Sequence, residues 1–508
     1  MTSKTVNKEL INYEESVDFE TAISEAHFGK FNIFLILLIV ASYFAINFDL
    51  TTMSYVIPIA RCDLQITLEQ AGLLNSITYL GMIPSAFIWG FMADTIGRKK
   101  IIVSCFAINA FFIILIGISQ TYKMLVVLKF FSGFIISGPI GTLTSVLSEY
   151  HSSQYRAQVV LLIGLVYAAG NMVVPLLAWL IIPLNWNVKF LNGTLKSWNF
   201  FLMISSFPCI ISSIGHFFIP ESPKYLMTAG KNEEALRVFQ KVFCLNTGKS
   251  PENYPVKKLI NEDKRVESTS SIQALKNGVQ QIKPLFQRDY LWNFLLIGMI
   301  QVGFVACMNS LRTWLPQIFT ILTDYKTNNP NSDADFCKMI QNFTNINSTA
   351  ELDNCNENPD SSVYINSSII FTSTILAFLI TELTINKLGK KPILIVIGVI
   401  SGLAGFFIYF SVNIAMMTAL AAINTGLGTV CTDVLMTISV DVFPTSLRTV
   451  GLAIIFTMAR VGILSGNMLF PVLLKIGCLP PFLTIGCTIL ICSMLVFLLP
   501  NTDNKALE

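Results

Sequence analysis

Apolar residues are gathered into long blocks, each bounded by charged or turn-forming clusters. Twelve such blocks occur, at 31–57, 70–92, 101–119, 124–147, 158–182, 198–219, 291–320, 365–385, 393–411, 414–440, 449–474 and 479–499. About 20 apolar residues in helical form cross a bilayer's hydrocarbon. Only structures that satisfy their own backbone hydrogen bonds survive there. The pattern therefore predicts twelve membrane-spanning helices, numbered here as spans 1 to 12. Between spans 6 and 7, an amphipathic stretch around 233–243 predicts a short surface helix.

Composition strengthens this reading. Of 508 residues, 53% are apolar and 13% charged, and the mean hydropathy is +0.62. Soluble domains carry about 25% charged residues, so a disordered chain, a nucleic-acid binder and a soluble multi-domain enzyme are excluded. A net charge of +3 implies no polyanionic partner. Residues 1–30 are polar, with no short apolar core and cleavage site, so span 1 is expected to stay in the mature protein.

Cations set the expected orientation. Of 34 Lys and Arg, 24 fall on the side of the two termini and 7 on the other, with three inside spans. The positive-inside bias then places both termini and the 220–290 loop in the cytoplasm. Four glycosylation sequons, at Asn192, Asn342, Asn347 and Asn366, fall in or beside outer loops. Asn366 lies next to the membrane. Cys337 and Cys355 share the outer loop, which faces an oxidising compartment, and are expected to form a disulfide. The other cysteines mostly lie in apolar spans and read as small buried hydrophobes. No Cys/His spacing suggests a metal.

The chain repeats itself. Asp94 and Asn386, Glu149 and Asp441, and Arg156 and Arg448 all stand 292 positions apart. A constant offset implies a duplicated six-helix unit, the parallel-repeat arrangement of two-halved transporters with a ligand site between the halves. The organisation read from it is a tail (1–30), a first bundle (31–220), a connecting loop (221–289), a second bundle (290–500) containing the outer loop 322–364, and a tail (501–508).

These motifs resemble the major facilitator superfamily. Gly90, Asp94, Gly97, Arg98 and Lys99 are similar to its loop signature between spans 2 and 3. Lys129 and Gly133 resemble its Arg-x-x-x-Gly motif, with Lys for Arg. The Pro220-Glu221-Ser222-Pro223-Lys224 segment resembles an element of sugar and organic-ion porters. Further stretches, including Tyr79-Leu80-Gly81-Met82 and Val440-Asp441-Val442-Phe443-Pro444, resemble the synaptic vesicle glycoprotein 2 family; there a Trp of span 5 aligns with Tyr167. The resemblance implies an all-α membrane fold of two pseudo-symmetric six-helix bundles that alternates access to a central cavity lined by spans 1, 4, 7 and 10.

Two groups of residues are candidates for function. The first is a latch at the inner membrane surface: Gly90, Asp94, Gly97, Arg98, Glu149 and Arg156, with Asn386, Asp441 and Arg448 as their second-half counterparts. Arg98 needs a carboxylate, for which Glu149 is the candidate, and the glycines allow close backbone approach. The second consists of charges inside the membrane, which are costly and face a cavity or a partner: Asp49, Lys129, Arg312, Asp433 and Arg460. Asp49 is expected to pair with Lys129 or Arg312, and Asp433 with Arg460. Tyr43, Tyr79, Trp89, Tyr167 and Trp314 are candidates for aromatic surface, with Tyr167 and Trp314 favoured among them. Asp49 and Asp433 are the candidates for proton coupling.

No phosphate-binding glycine loop, nucleophile or metal constellation is present, so an enzyme is not expected and no cofactor is implied. The reading is a secondary or facilitative carrier of a small organic solute, charged or zwitterionic, with a proton or other ion as possible co-substrate. The alternative is a non-transporting membrane protein of the same fold, acting as a vesicle component, sensor or receptor. The expected location is a plasma or secretory-type vesicle membrane.

Overall fold

The computed structural model describes residues 16–190, 193–260, 283–329, 335–346 and 360–501. Twelve helices in it are long and apolar enough to cross a membrane, from Lys30–Leu64 to Leu479–Leu498. They correspond one to one to the twelve apolar blocks. Several run past them: span 1 covers 35 residues and span 7 runs Tyr290–Asn328. At 1.5 Å per residue, 35 residues extend about 53 Å, well beyond a ~30 Å hydrocarbon core. Hydropathy marks the bilayer, whereas a helix continues until a stop signal. Span 1 ends at Gln65, which adopts a left-handed conformation (φ 51°).

Polar caps set several helix starts. Thr67 and Gln70 form a reciprocal capping box at span 2. Thr121 caps span 4 through the Met124 amide, and Asn413 caps span 10 through the Met416 amide. These two caps are themselves 292 positions apart, so the repeat extends to how each helix begins.

We call the face carrying the chain ends the inner face, following the cation count. At the outer end the two halves share one apolar core. It runs from Phe48, Val56 and Leu74 of spans 1 and 2 into Trp314 and Ile318 of span 7 and Phe470 of span 11. Span 2 passes so close to span 11 that a Cβ at Gly72 would lie 2.9 Å from the Asn467 carbonyl oxygen. An ion pair between Glu69 and Lys475 joins the same two spans near the outer surface. Towards the inner face, Gly141 of span 4 has nothing within 4 Å of its Cβ position. Its repeat counterpart in span 10, Asp433, is exposed, as is Thr437 one turn on. The halves are thus closed outside and parted inside.

On the inner face, a helix at Phe19–Glu25 packs on the amphipathic helix Asn232–Thr247. Phe19, Ile23, Phe239, Phe243 and Tyr254 join Phe31, Ile102 and Val146 of spans 1, 3 and 4 in a second core. On the outer face, strands Asn187–Phe190 (β1) and Gly193–Lys196 (β2) form an antiparallel hairpin.

The expected Cys337–Cys355 disulfide is not formed. Cys337 bonds to Cys478, with Cα atoms 5.5 Å apart, and Cys62 is also disulfide-bonded. Cys355 lies outside the described residues. The outer helix Phe336–Ile346 lies against the outer end of span 12, where Phe336 contacts Phe482. That contact brings Cys337 to Cys478, the residue just before the span. Loop proximity in sequence was the wrong guide, because the partner belongs to a neighbouring span connection.

Candidate functional site

Asp49, on span 1, is fixed by four bonds. Lys129 Nζ donates to its Oδ1 at 2.8 Å and to its backbone carbonyl at 2.7 Å. Ser132 and Asn109 donate to Oδ2 at 2.6 and 3.2 Å. Both charged side chains are almost wholly buried. A buried pair is tolerable when geometry is good and every remaining lone pair is bonded, and this one meets both conditions. Of the two expected partners for Asp49, the fold selects Lys129, and the network lies wholly within the first bundle.

Arg312 instead lies between the bundles. It belongs to span 7, is 8% exposed, and faces the hydroxyls of Tyr167, Tyr79 and Tyr55 from spans 5, 2 and 1. Its Nε has no partner among the described residues. Asn309 lies one turn earlier on the same face of span 7, and Asn171 one turn after Tyr167. The side-chain oxygens of Asn309, Asn171 and Asn47 are buried and without partners among the described residues. Asn47 and Asn171 both donate to the Tyr167 carbonyl, at 3.2 and 3.0 Å. Buried polar atoms are rarely left unsatisfied, so the Arg312 guanidinium facing three tyrosines, with the unpartnered Asn309 oxygen one turn away on its own helix, is a candidate ligand constellation. Sequence reading found Arg312, Tyr167 and, among the aromatics of the spans, Tyr79. It missed Tyr55 and the asparagines, because uncharged polar residues in a span carry no signal until the helices converge.

Arg460 does not pair with Asp433. Its guanidinium crosses to the first bundle, donating to the Met82 carbonyl at 2.9 Å and to Ser137 Oγ at 3.4 Å. Asp433 faces away, exposed on the inner half of span 10. Trp314 is 1% exposed, stacked on Phe470 with Nε1 3.4 Å from the Asn467 carbonyl, so it belongs to the outer core that both halves share.

Of the proposed latch residues, Asp94, Arg98 and Glu149 come together at the inner surface. Arg98 lies 3.4 Å from both Asp94 and Glu149 and packs over the Tyr225 ring. Ser222 donates to Glu149. Glu221, which the sequence reading quoted only as part of a motif, accepts from the Lys99 and Ser222 amides, both at 3.0 Å. Gly97 is required twice: its φ is +112°, and a Cβ there would strike Glu221. Gly90 is not a close-approach site, since nothing lies within 4 Å of its Cβ position. In the second half Lys390 replaces Arg98 and bonds Asp441 at 2.6 Å. Arg156 pairs with Glu20 at 2.6 Å and also bonds the Ser148 and His151 carbonyls. Arg448 has an unpartnered Nε among the described residues, and the side chain of Asn386 lies outside them. The Arg98 bonds knit the inner ends of spans 2 to 4 to the segment after span 6, all within the first half.

Of the sequons, Asn342 is exposed on the outer helix, and Asn366 is half-buried inside span 8. Asn192 and Asn347 lie outside the described residues.

The family described as "Sugar (and other) transporter" matches residues 33–323, and the Major Facilitator Superfamily matches 357–508. The chain is 25% identical to synaptic vesicle glycoprotein 2C of Mus musculus, over 97% of this chain and 82% of that protein. It is 26% identical to synaptic vesicle glycoprotein 2B of Homo sapiens, over 60% and 48%. Among solved structures, the partially occluded inward-open xylose transporter XylE of E. coli superposes with a TM-score of 0.63 at 14% identity, covering 94% of this chain and 99% of that one. A D-xylose–proton symporter gives 0.62 over 94% and 99%, also at 14% identity. Duplicated bundles, an inner-facing cleft and these matches agree: the chain belongs to the sugar (and other) transporter family of the major facilitator superfamily.

Proposed function

We propose that the protein carries a small organic solute across a membrane by alternating access, binding it between the bundles at Arg312. The observation that carries this reading is the enclosure of Arg312 by tyrosines of the opposite bundle, with unpartnered side-chain oxygens beside it. A guanidinium recognises a carboxylate or a comparable acceptor. The orphan oxygens require N–H or O–H donors. A solute with both, such as an amino acid or a hydroxy acid, matches the site. Asp49 and Lys129 satisfy each other and brace the first bundle. Asp433, exposed where the cleft opens, is the proposed seat of a coupling proton. With both termini cytoplasmic, the cleft faces the cytoplasm.

Uptake by purified protein in liposomes tests this. Wild type should accumulate a labelled solute of this class, and Arg312→Gln should abolish it while keeping the fold. Flux equal in the two proteins would refute the site. The relatedness to synaptic vesicle glycoproteins along nearly the whole chain supports a second reading, a vesicle-membrane component that binds but does not transport. Solute binding with no flux would favour it.

A further inference from the structure

The outer helix Phe336–Ile346 touches both halves of the molecule. It is held to the second bundle by the Cys337–Cys478 bond and by Phe336 against Phe482. It meets the first bundle at Arg61, in the last turn of span 1. The Arg61 guanidinium lies 4.8 Å from the centre of the Phe343 ring, a cation–π contact. Span 8, which follows the outer loop, also meets span 1: the Tyr364 and Tyr55 rings stack with centres 6.3 Å apart. The described residues on either flank of the segment 347–359 therefore both rest against the outer half of span 1.

Cys62 stands at these contacts. It follows Arg61 directly and lies two turns beyond Tyr55 on the same face of span 1, about 10 Å further out. Cys62 is disulfide-bonded, and the cysteines of the chain leave it one partner. Eleven are present. Seven of the described ones carry free thiols, and Cys337 and Cys478 hold each other. Cys355 is the one sulfur that remains. In sequence it comes twelve residues after Phe343 and nine before Tyr364. A chain covers up to about 3.5 Å per residue, so Cys355 is within reach of Cys62 from either flank.

We propose that Cys62 and Cys355 form a disulfide that joins the two halves across the outer face and limits how far their outer ends part. The bond forms by thiol–disulfide exchange with an oxidant disulfide. Both thiol hydrogens and two electrons pass to the oxidant, which leaves as two thiols. The restraint rests on the alternating-access reading, in which the outer ends separate in each cycle. Cys355 precedes the start of span 8 by six residues, about 20 Å when extended. The bond is thus a tether rather than a lock. It also keeps Arg61 near Phe343, which raises the effective concentration of each for the other and favours reclosure.

Peptide mapping of the full-length protein without reduction tests the bond. A Cys62–Cys355 peptide is expected from the monomer. Recovery of Cys62 as a free thiol, or linked to another cysteine or to a second chain, would overturn the proposal. The restraint is read with Ala71→Cys, at a position 3% exposed in the outer core that both halves share. In liposomes, an impermeant maleimide applied from the outer side labels it only when the outer ends part. The rate is corrected against protein lacking this cysteine. Replacing Cys62 and Cys355 together by serine should raise it about fivefold, while the buried thiols Cys105 and Cys209 stay unlabelled because the fold survives. An unchanged rate would overturn the restraint. No labelling in either protein, with the Cys62–Cys355 peptide recovered, would refute alternating access and leave the bond standing.

Discussion

Asp49 shows how much one buried charge depends on its surroundings. Three side chains and four hydrogen bonds hold it, and removing it strands Lys129 in the bundle interior. Asp49→Asn should destabilise the protein by about 3–5 kcal/mol, the usual cost of breaking a buried pair from one side. The double variant Asp49→Asn/Lys129→Met should recover part of that loss. Melting temperatures of the three proteins check this, and an additive double variant would contradict it. His151 belongs to the same scale. Burial first, and then the nearby Arg156 charge, hold its imidazole below the ordinary histidine value despite its bond to Leu147. Above pH of about 6.5 neither the folded nor the unfolded chain protonates it. As pH falls below that value, the unfolded chain takes up a proton that the fold resists, so stability declines with acidification. His151→Gln should flatten this part of the stability–pH profile between pH 7.5 and 5.5; an unchanged slope would show that His151 contributes nothing to it.

At the scale of elements, the disulfide separates what sequence carried from what it could not. All twelve spans were readable because a span needs only its own apolar length. The Arg98–Glu149 bond was readable because the repeat fixed which helix ends meet. Cys337–Cys478 was not, since it depends on how an outer helix lies across the ends of spans 11 and 12. Peptide mapping without reduction should recover a Cys337–Cys478 linkage, and Cys337→Ser and Cys478→Ser should lower stability equally, by about 2–4 kcal/mol. A recovered Cys337–Cys355 peptide would contradict the pairing. The Arg312 constellation was only half legible for a related reason. Its charge stood out in an apolar span, while the unbonded oxygens of Asn47, Asn171 and Asn309 carried no signal until the fold showed them buried without partners among the described residues.

For the whole molecule, closure outside and opening inside rest on particular contacts. One is the close passage of Gly72 past the carbonyl of Asn467 and the ring of Pro471. A larger side chain at Gly72 penalises outer closure and shifts the population towards the outward-open state. Gly72→Leu should therefore reduce labelling of an Asp433→Cys thiol from the inner side; unchanged labelling would mean that this contact does not hold the outer gate. The pseudo-symmetry has the same consequence. Gly141 and Asp433 occupy equivalent places on the cleft, so the second bundle presents a carboxylate where the first presents only backbone. The two halves share a scaffold and divide the chemistry between them.

The central claim is that Arg312 is the solute's anchor. The most direct measurement is a thermal-stabilisation screen of small amino and hydroxy acids on wild type and Arg312→Gln, each compared with the methyl ester of the same compound. A hit should stabilise wild type, lose that effect on esterification, and lose it again in Arg312→Gln. A compound that stabilises both proteins equally, or whose ester binds as well as its acid, would contradict the assignment.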